Sequence, residues 1–119
     1  MKRGLSTHVL DTAAGLPARD VRIELYRLHE EKGAVLASSG LTDSDGRVKG
    51  ALLAGDDLHP GRYEIRFYIG EYFRNASHTR FMPTIWEVIP VRFAVEEDGG
   101  HYHIPLLASP GSYTTYRGS

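Results

Sequence analysis

Short stretches in which apolar and polar residues alternate run along nearly the whole chain. Leu5, Thr7 and Val9 would face one side of a strand, and Ser6, His8 and Leu10 the other. This predicts a first strand over residues 5–11, broken by Ala14-Gly15-Leu16-Pro17. Val21, Ile23 and Leu25 then alternate with Arg22, Glu24 and Tyr26, the pattern of a half-buried strand. A third strand is expected over residues 34–38. Thr42-Asp43-Ser44-Asp45-Gly46 is a dense turn signal and delivers Arg47 immediately after it. Over residues 61–68, Tyr63, Ile65 and Phe67 alternate with Arg62, Glu64, Arg66 and Tyr68.

The second half continues in the same manner. Residues 71–78 form the one plausible helix. Residues 82–89, between Pro83 and Pro90, carry no clear period, and 91–96 read as a strand. Asp98-Gly99-Gly100 has the composition of a hairpin turn, with 101–108 as its return strand. Pro105 interrupts that strand, so its backbone should lie where pairing is incomplete. Ser109-Pro110-Gly111 turns the chain again into a last strand over 112–119. Seven or eight short strands and one small helix predict an all-β, Greek-key β-sandwich. The length suits a single domain over residues 1–119.

Composition narrows the function. There is no cysteine, hence no disulfide, no thiolate nucleophile and no cysteine-based zinc site. Fourteen Lys and Arg are interspersed with fifteen Asp and Glu for a net charge of −1. With no basic stripe, nucleic acid is not an expected partner. No apolar run reaches the ~20 residues of a membrane span, so no membrane partner is expected either. Met1-Lys2-Arg3 runs straight into the first strand without the apolar core of a secretory signal, and the C-terminus is not a peroxisomal address. A cytoplasmic location is the expectation. There is no Gly-x-Ser-x-Gly elbow, phosphate loop or dinucleotide fingerprint, and no cofactor is expected.

Three polar sets stand out: Ser6-Thr7-His8, His101-Tyr102-His103 and Tyr116-Arg117-Gly118-Ser119. His8 lies mid-strand, opposite the face of Val9, and an imidazole there can take a proton from water near neutral pH. His101 and His103 are two apart and share a strand face, the spacing of metal-binding His-x-His pairs. With His8 they would make a three-histidine zinc site. No acidic partner for the ligands is assignable, and the expectation is that no metal is bound. Arg47 offers a fixed positive charge to an anionic substrate or a developing oxyanion. The Tyr116–Ser119 tail offers a stacking ring, a guanidinium, a close backbone approach at Gly118 and a hydroxyl. Alternation puts Tyr116 and Gly118 on one face and Arg117 and Ser119 on the other.

Leu5-Ser6-Thr7-His8-Val9-Leu10-Asp11, Asp45-Gly46-Arg47, Gly70-Glu71-Tyr72-Phe73, His101-Tyr102-His103-Ile104-Pro105-Leu106-Leu107 and Tyr116-Arg117-Gly118-Ser119 together resemble the 5-hydroxyisourate hydrolases, the transthyretin-related enzymes of urate degradation. The resemblance covers nearly the whole chain, and the final tetrapeptide is its most specific motif. The hormone carrier transthyretin shares that fold without these histidines or that ending. Gly111-Ser112, Ala108 and a longer stretch over 79–88 depart from the family's common pattern.

The resemblance implies a transthyretin-like sandwich that assembles as a homotetramer, a dimer of dimers, with sites at the dimer–dimer interface. It implies hydrolysis of the N1–C6 amide of 5-hydroxyisourate to 2-oxo-4-hydroxy-4-carboxy-5-ureidoimidazoline. His8, Arg47, His103 and Ser119 would be the catalytic set, and His8, Arg47, Tyr116 and Arg117 would bind substrate. His8 would position or deprotonate the water, Arg47 would face the carbonyl oxygen, and His103 would bind the ring or pass the proton. Tyr116 would pack on the ring, Ser119 would complete the network, and Arg117 would support the tail through an ion pair. The alternative on the same fold is a non-enzymatic small-molecule carrier.

Overall fold

The computed structural model describes residues 3–119. In chain order the elements are β1 (Gly4–Asp11), β2 (Leu16–Pro17), β3 (Arg22–His29), β4 (Gly33–Leu41), β5 (Leu53–Ala54), a 3-10 turn (Gly55–Asp57), β6 (Gly61–Phe67), α1 (Ile69–Asn75), β7 (Ile89–Val95), β8 (His101–Ser109) and β9 (Ser112–Thr115). One sheet runs β2-β1-β8-β9, with β5 also on β1, and the other runs β4-β3-β6-β7. The alternation explains the layering. Leu5, Val9 and Leu106 of the first sheet and Ile23, Ile65 and Phe67 of the second are fully buried between them. Phe73 closes the core from α1. The expected all-β sandwich with one short helix is what forms.

One expectation is corrected. Asp98-Gly99-Gly100 is not a hairpin turn: β7 pairs with β6 in one sheet, whereas β8 pairs with β1 and β9 in the other. The turn is a crossover between sheets, and the Glu96 N–H donates to the Tyr102 hydroxyl (2.8 Å), tying it to a ring of the far sheet. The incomplete pairing expected at Pro105 is found, on an interior strand, since β8 has a neighbour on each side. The ladder to β9 pairs Leu106 with Thr115 and resumes at His103 with Gly118 in the same register. Between them, at Pro105, the missing N–H interrupts it. That break ends β9 at Thr115 rather than carrying regular strand to residue 119.

The helix begins two residues before its expected start and ends three before its expected end. The Tyr68 N–H still bonds to the Arg22 carbonyl (2.9 Å), so β6 passes into α1 without a loop. Residues 82–88, which carried no period, are irregular. There Trp86 meets Tyr113 edge-on at 5.0 Å, while Phe81 and Ile85 stay exposed. Among the described residues no helix is long and apolar enough to cross a membrane.

A buried carboxylate holds the end of β1. Asp11, 1% exposed, accepts the Ala13 and Ala14 N–H groups (2.9 and 3.0 Å) on one oxygen. Its other oxygen accepts the Tyr72 hydroxyl and lies against His78 Nε2, each at 2.7 Å. Burial, followed by the Asp11 bond, pushes the Tyr72 phenol far above its ordinary range, so it remains a donor. Removing Asp11 would orphan all four partners at once. Asp11→Ala is expected to cost about 3 kcal/mol in urea unfolding, and Asp11→Asn less, because the amide keeps an acceptor oxygen. A loss within the scatter of a surface mutation would show that these bonds do not anchor β1.

Candidate functional site

The outer face of the first sheet carries the chemistry. β1 and β8 run parallel, with Gly4 beside His101, Ser6 beside His103 and His8 beside Pro105. Because side chains alternate, Ser6 and His8 share one face with His101 and His103, while Leu5, Thr7, Tyr102 and Ile104 go to the interior. Two segments distant in sequence thus form one row of polar groups.

Arg47 reaches this row through its turn. Asp43 Oδ1 accepts the Arg47 and Asp45 N–H groups (3.1 and 2.9 Å). The Arg47 N–H in the first place, opposed by partial burial, holds the Asp43 carboxyl below its usual range. Gly46 has φ +77°, and a Cβ there would lie 2.3 Å from the Val9 carbonyl. Glycine therefore lets the turn lie directly on β1, where the Val9 N–H bonds to the Gly46 carbonyl at 2.8 Å. His8 and Arg47 face each other across an antiparallel bridge. Among the described residues the Arg47 guanidinium has neither an ion-pair partner nor a hydrogen bond, so its charge is open to a ligand.

The imidazoles are held differently. His8 Nε2 lies 2.8 Å from the Asp45 carbonyl. A carbonyl only accepts, so the ring donates from Nε2 and, when neutral, keeps its lone pair on Nδ1. His103 Nδ1 lies 2.8 Å from the Ser6 hydroxyl, which is also 2.9 Å from His101 Nε2. Burial holds the His103 pKa below the ordinary 6.5, and positive charge on Arg47, then on His8 and His101, acts in the same direction.

The tail crosses this row at one point. The Gly118 N–H donates to the His103 carbonyl at 2.7 Å, and a Cβ on Gly118 would meet His103 Cδ2 at 2.5 Å. Only glycine lets the tail lie against that ring. By continued register Tyr116 stands on the same face, across from Pro105, and is 57% exposed. Arg117 is not brought to this group. Its guanidinium lies 4.2 Å over the Tyr102 ring and donates to the carbonyls of Gly99 (2.8 Å) and His101 (3.3 Å). The expected ion pair is replaced by these contacts, and Arg117 holds the tail from the core side. Ser119 is exposed and has no hydrogen bond among the described residues.

Sequence reasoning grouped Ser6 with the polar sets but gave it no role. Its place on the His8 face was visible, whereas the parallel register that sets it beside two histidines was not. No three His, Asp or Glu side chains among the described residues are grouped so as to hold a metal ion. The Ser6 hydroxyl lies between His101 and His103, two of the three histidines that the zinc reading would have used.

A model of the HIUase/Transthyretin family matches residues 5–118. The chain belongs to that family. It is 48% identical over 115 residues to 5-hydroxyisourate hydrolase 2 of Rhizobium meliloti (strain 1021), covering 97% of this chain and 95% of that protein. The solved Klebsiella pneumoniae 5-hydroxyisourate hydrolase superposes with a TM-score of 0.78 at 30% identity, over 98% of this chain and 94% of that one. Transthyretin from Sparus aurata superposes with a TM-score of 0.85, also at 30% identity, over 96% and 95%. The overall backbone is thus shared with both a named hydrolase and a transthyretin.

The His103 environment favours the neutral ring. Its proton is lost at a lower pH in the folded chain than in the unfolded one. The associated stability is full above 6.5 and is lost as pH falls through the lowered folded value. An NMR titration of the imidazoles should place the His103 midpoint below 6.5, and Arg47→Gln should raise it. A midpoint at or above 6.5 in the parent chain would contradict this placement of charge.

Proposed function

We propose that this chain hydrolyses 5-hydroxyisourate, the activity for which two of the relatives above are named, and that the bond cut is the N1–C6 amide. The observation that carries the reading is the meeting of His8, His103 and Arg47 on one sheet face. It supplies a hydrogen-bonding histidine, a second histidine held neutral and an unpaired cation.

The chemistry follows from the free atoms. The substrate is flat and rich in oxygen, suited to stacking under Tyr116 and to the donors of Arg47. With Nδ1–H donating to Ser6, His103 presents the Nε2 lone pair and takes a proton from water as the oxygen attacks C6. This transfers to His103 the deprotonating role first assigned to His8. Negative charge developing on the carbonyl oxygen faces Arg47, a donor already oriented before the reaction. The C6–N1 bond then breaks, and the proton on His103 passes to N1, leaving a carboxylic acid and regenerating the neutral ring. His8 Nδ1 accepts a hydrogen bond from the water or the ring and fixes its position. Ser119 closes the network from the tail end.

The face that carries these groups is an open sheet surface, with His8 and His103 only half-buried in one protomer. A second copy laid across it would exclude water and strengthen every charge interaction there. The homotetramer with sites at the dimer–dimer interface is the proposed assembly. A carrier would need no neutral histidine beside an unpaired arginine.

Following the decay of freshly made 5-hydroxyisourate with and without protein tests the activity, since the substrate also decays on its own. Acceleration is expected, and His103→Ala and Arg47→Ala should each lower kcat/KM by at least ~100-fold. No acceleration by the parent chain would favour the carrier. Near-parent rates in either variant would remove that residue from the chemistry.

A further inference from the structure

Among the described residues Ser6 is the one hydroxyl within hydrogen-bond distance of two ring nitrogens, His103 Nδ1 at 2.8 Å and His101 Nε2 at 2.9 Å. A serine hydroxyl has a single proton to donate and two lone pairs with which to accept. The two contacts therefore cannot be filled independently. If both rings turned lone pairs toward Ser6, one proton would have to serve two acceptors, and one close contact would be left unmade. If both rings turned N–H groups toward it, the serine proton would have no partner among the described residues. The saturated arrangements are those in which one ring donates and the other accepts.

These two arrangements differ in what His103 offers the substrate. In one, His103 Nδ1–H donates to Ser6 and the Ser6 proton goes to His101 Nε2. His103 Nε2 is then an exposed lone pair, able to act as a base. In the other, His101 Nε2–H donates to Ser6 and the Ser6 proton goes to His103 Nδ1. His103 Nε2 then carries the proton and has no base to offer. Other groups meeting His103 add no competing bond to Nδ1. Arg47 and His8 bear on it through charge, and Gly118 through contact with Cδ2 and a bond to the backbone carbonyl.

We propose that the Ser6 hydroxyl, with His101 behind it, sets the tautomer of His103 and holds its Nε2 as the open lone pair. Ser6 and His101 are positioning residues: neither touches the reacting atoms, and both act through His103. When His103 takes its proton at Nε2, the Nδ1–H bond to Ser6 becomes charge-assisted and strengthens, so the arrangement favours the protonated intermediate. The kinetic part of this proposal rests on the hydrolase reading, whereas the tautomer part does not.

Long-range 1H–15N correlation of 15N-histidine-labelled protein at slightly alkaline pH reads the tautomers directly. In the parent chain His103 should be protonated at Nδ1 and unprotonated at Nε2. In Ser6→Ala the Nε2–H form should gain population, and kcat should fall about 10-fold with KM little changed, the scale seen when a group orienting a functional histidine is removed. Ser6→Thr keeps the hydroxyl on a strand that favours branched side chains, and should restore both. Circular dichroism of each variant confirms the fold. A parent His103 protonated at Nε2 would overturn the proposal, as would a Ser6→Ala variant that keeps either the parent tautomer or the parent rate. A parent chain with the expected tautomer but no hydrolysis would reject the assigned reaction and leave the hydrogen-bond assignment standing.

Discussion

The parallel pairing of β1 with β8 is the constraint on which the rest depends. It runs in unbroken register from Gly4 beside His101 to Asp11 beside Ala108. Strand alternation divides this one contact into two products. Leu5, Val9, Ile104 and Leu106 go inward and make half of the core. Ser6, His8, His101 and His103 go outward and make the candidate site. A slip of one residue would exchange the two faces, burying imidazoles and exposing leucines. Fold and chemistry are therefore specified by the same register, and a chain that cannot bury its core correctly cannot assemble its site.

The pairing is secured at both ends by groups that are not themselves catalytic. Asp11 gathers the turn after β1, the Tyr72 hydroxyl and His78 at one end. At the other, Arg117 lies over Tyr102 and bonds to the carbonyls of Gly99 and His101, keeping the tail against β8. Between them two glycines permit close approach: Gly46 lets the arginine-bearing turn lie on β1, and Gly118 lets the tail lie on the His103 ring. A side chain at Gly118 would strike the His103 ring, and one at Gly46 would push the turn off β1.

Much of this was legible in the sequence, and the rest was not for identifiable reasons. The alternation of Leu5 to Leu10 showed which side of β1 would be polar, and the turn at 42–46 showed where Arg47 would be presented. Alternation also separated Tyr116 and Gly118 from Arg117, as the structure bears out. Asp98-Gly99-Gly100 misled because turn composition describes a local reversal and not the sheet to which the chain returns. Pro105 foretold a gap in pairing but not its place, which is one ladder of an interior strand while the other continues. The Ser6 contacts could not be read at all, since they depend on a pairing across some 95 residues that no local pattern encodes. The terminal motif supplied by resemblance what geometry could not, namely a substrate.

The central claim is that the outer face of the β1–β8 pair recognises a flat, oxygen-rich heterocycle. Titrating the 15N-labelled chain with uric acid, a planar and stable relative of the proposed substrate, tests it most directly. Amide shifts should move together at Ser6, His8, Arg47, His103 and Gly118. Shifts confined to the outer face of β3, β4, β6 and β7, with the β1–β8 amides unmoved, would contradict the account.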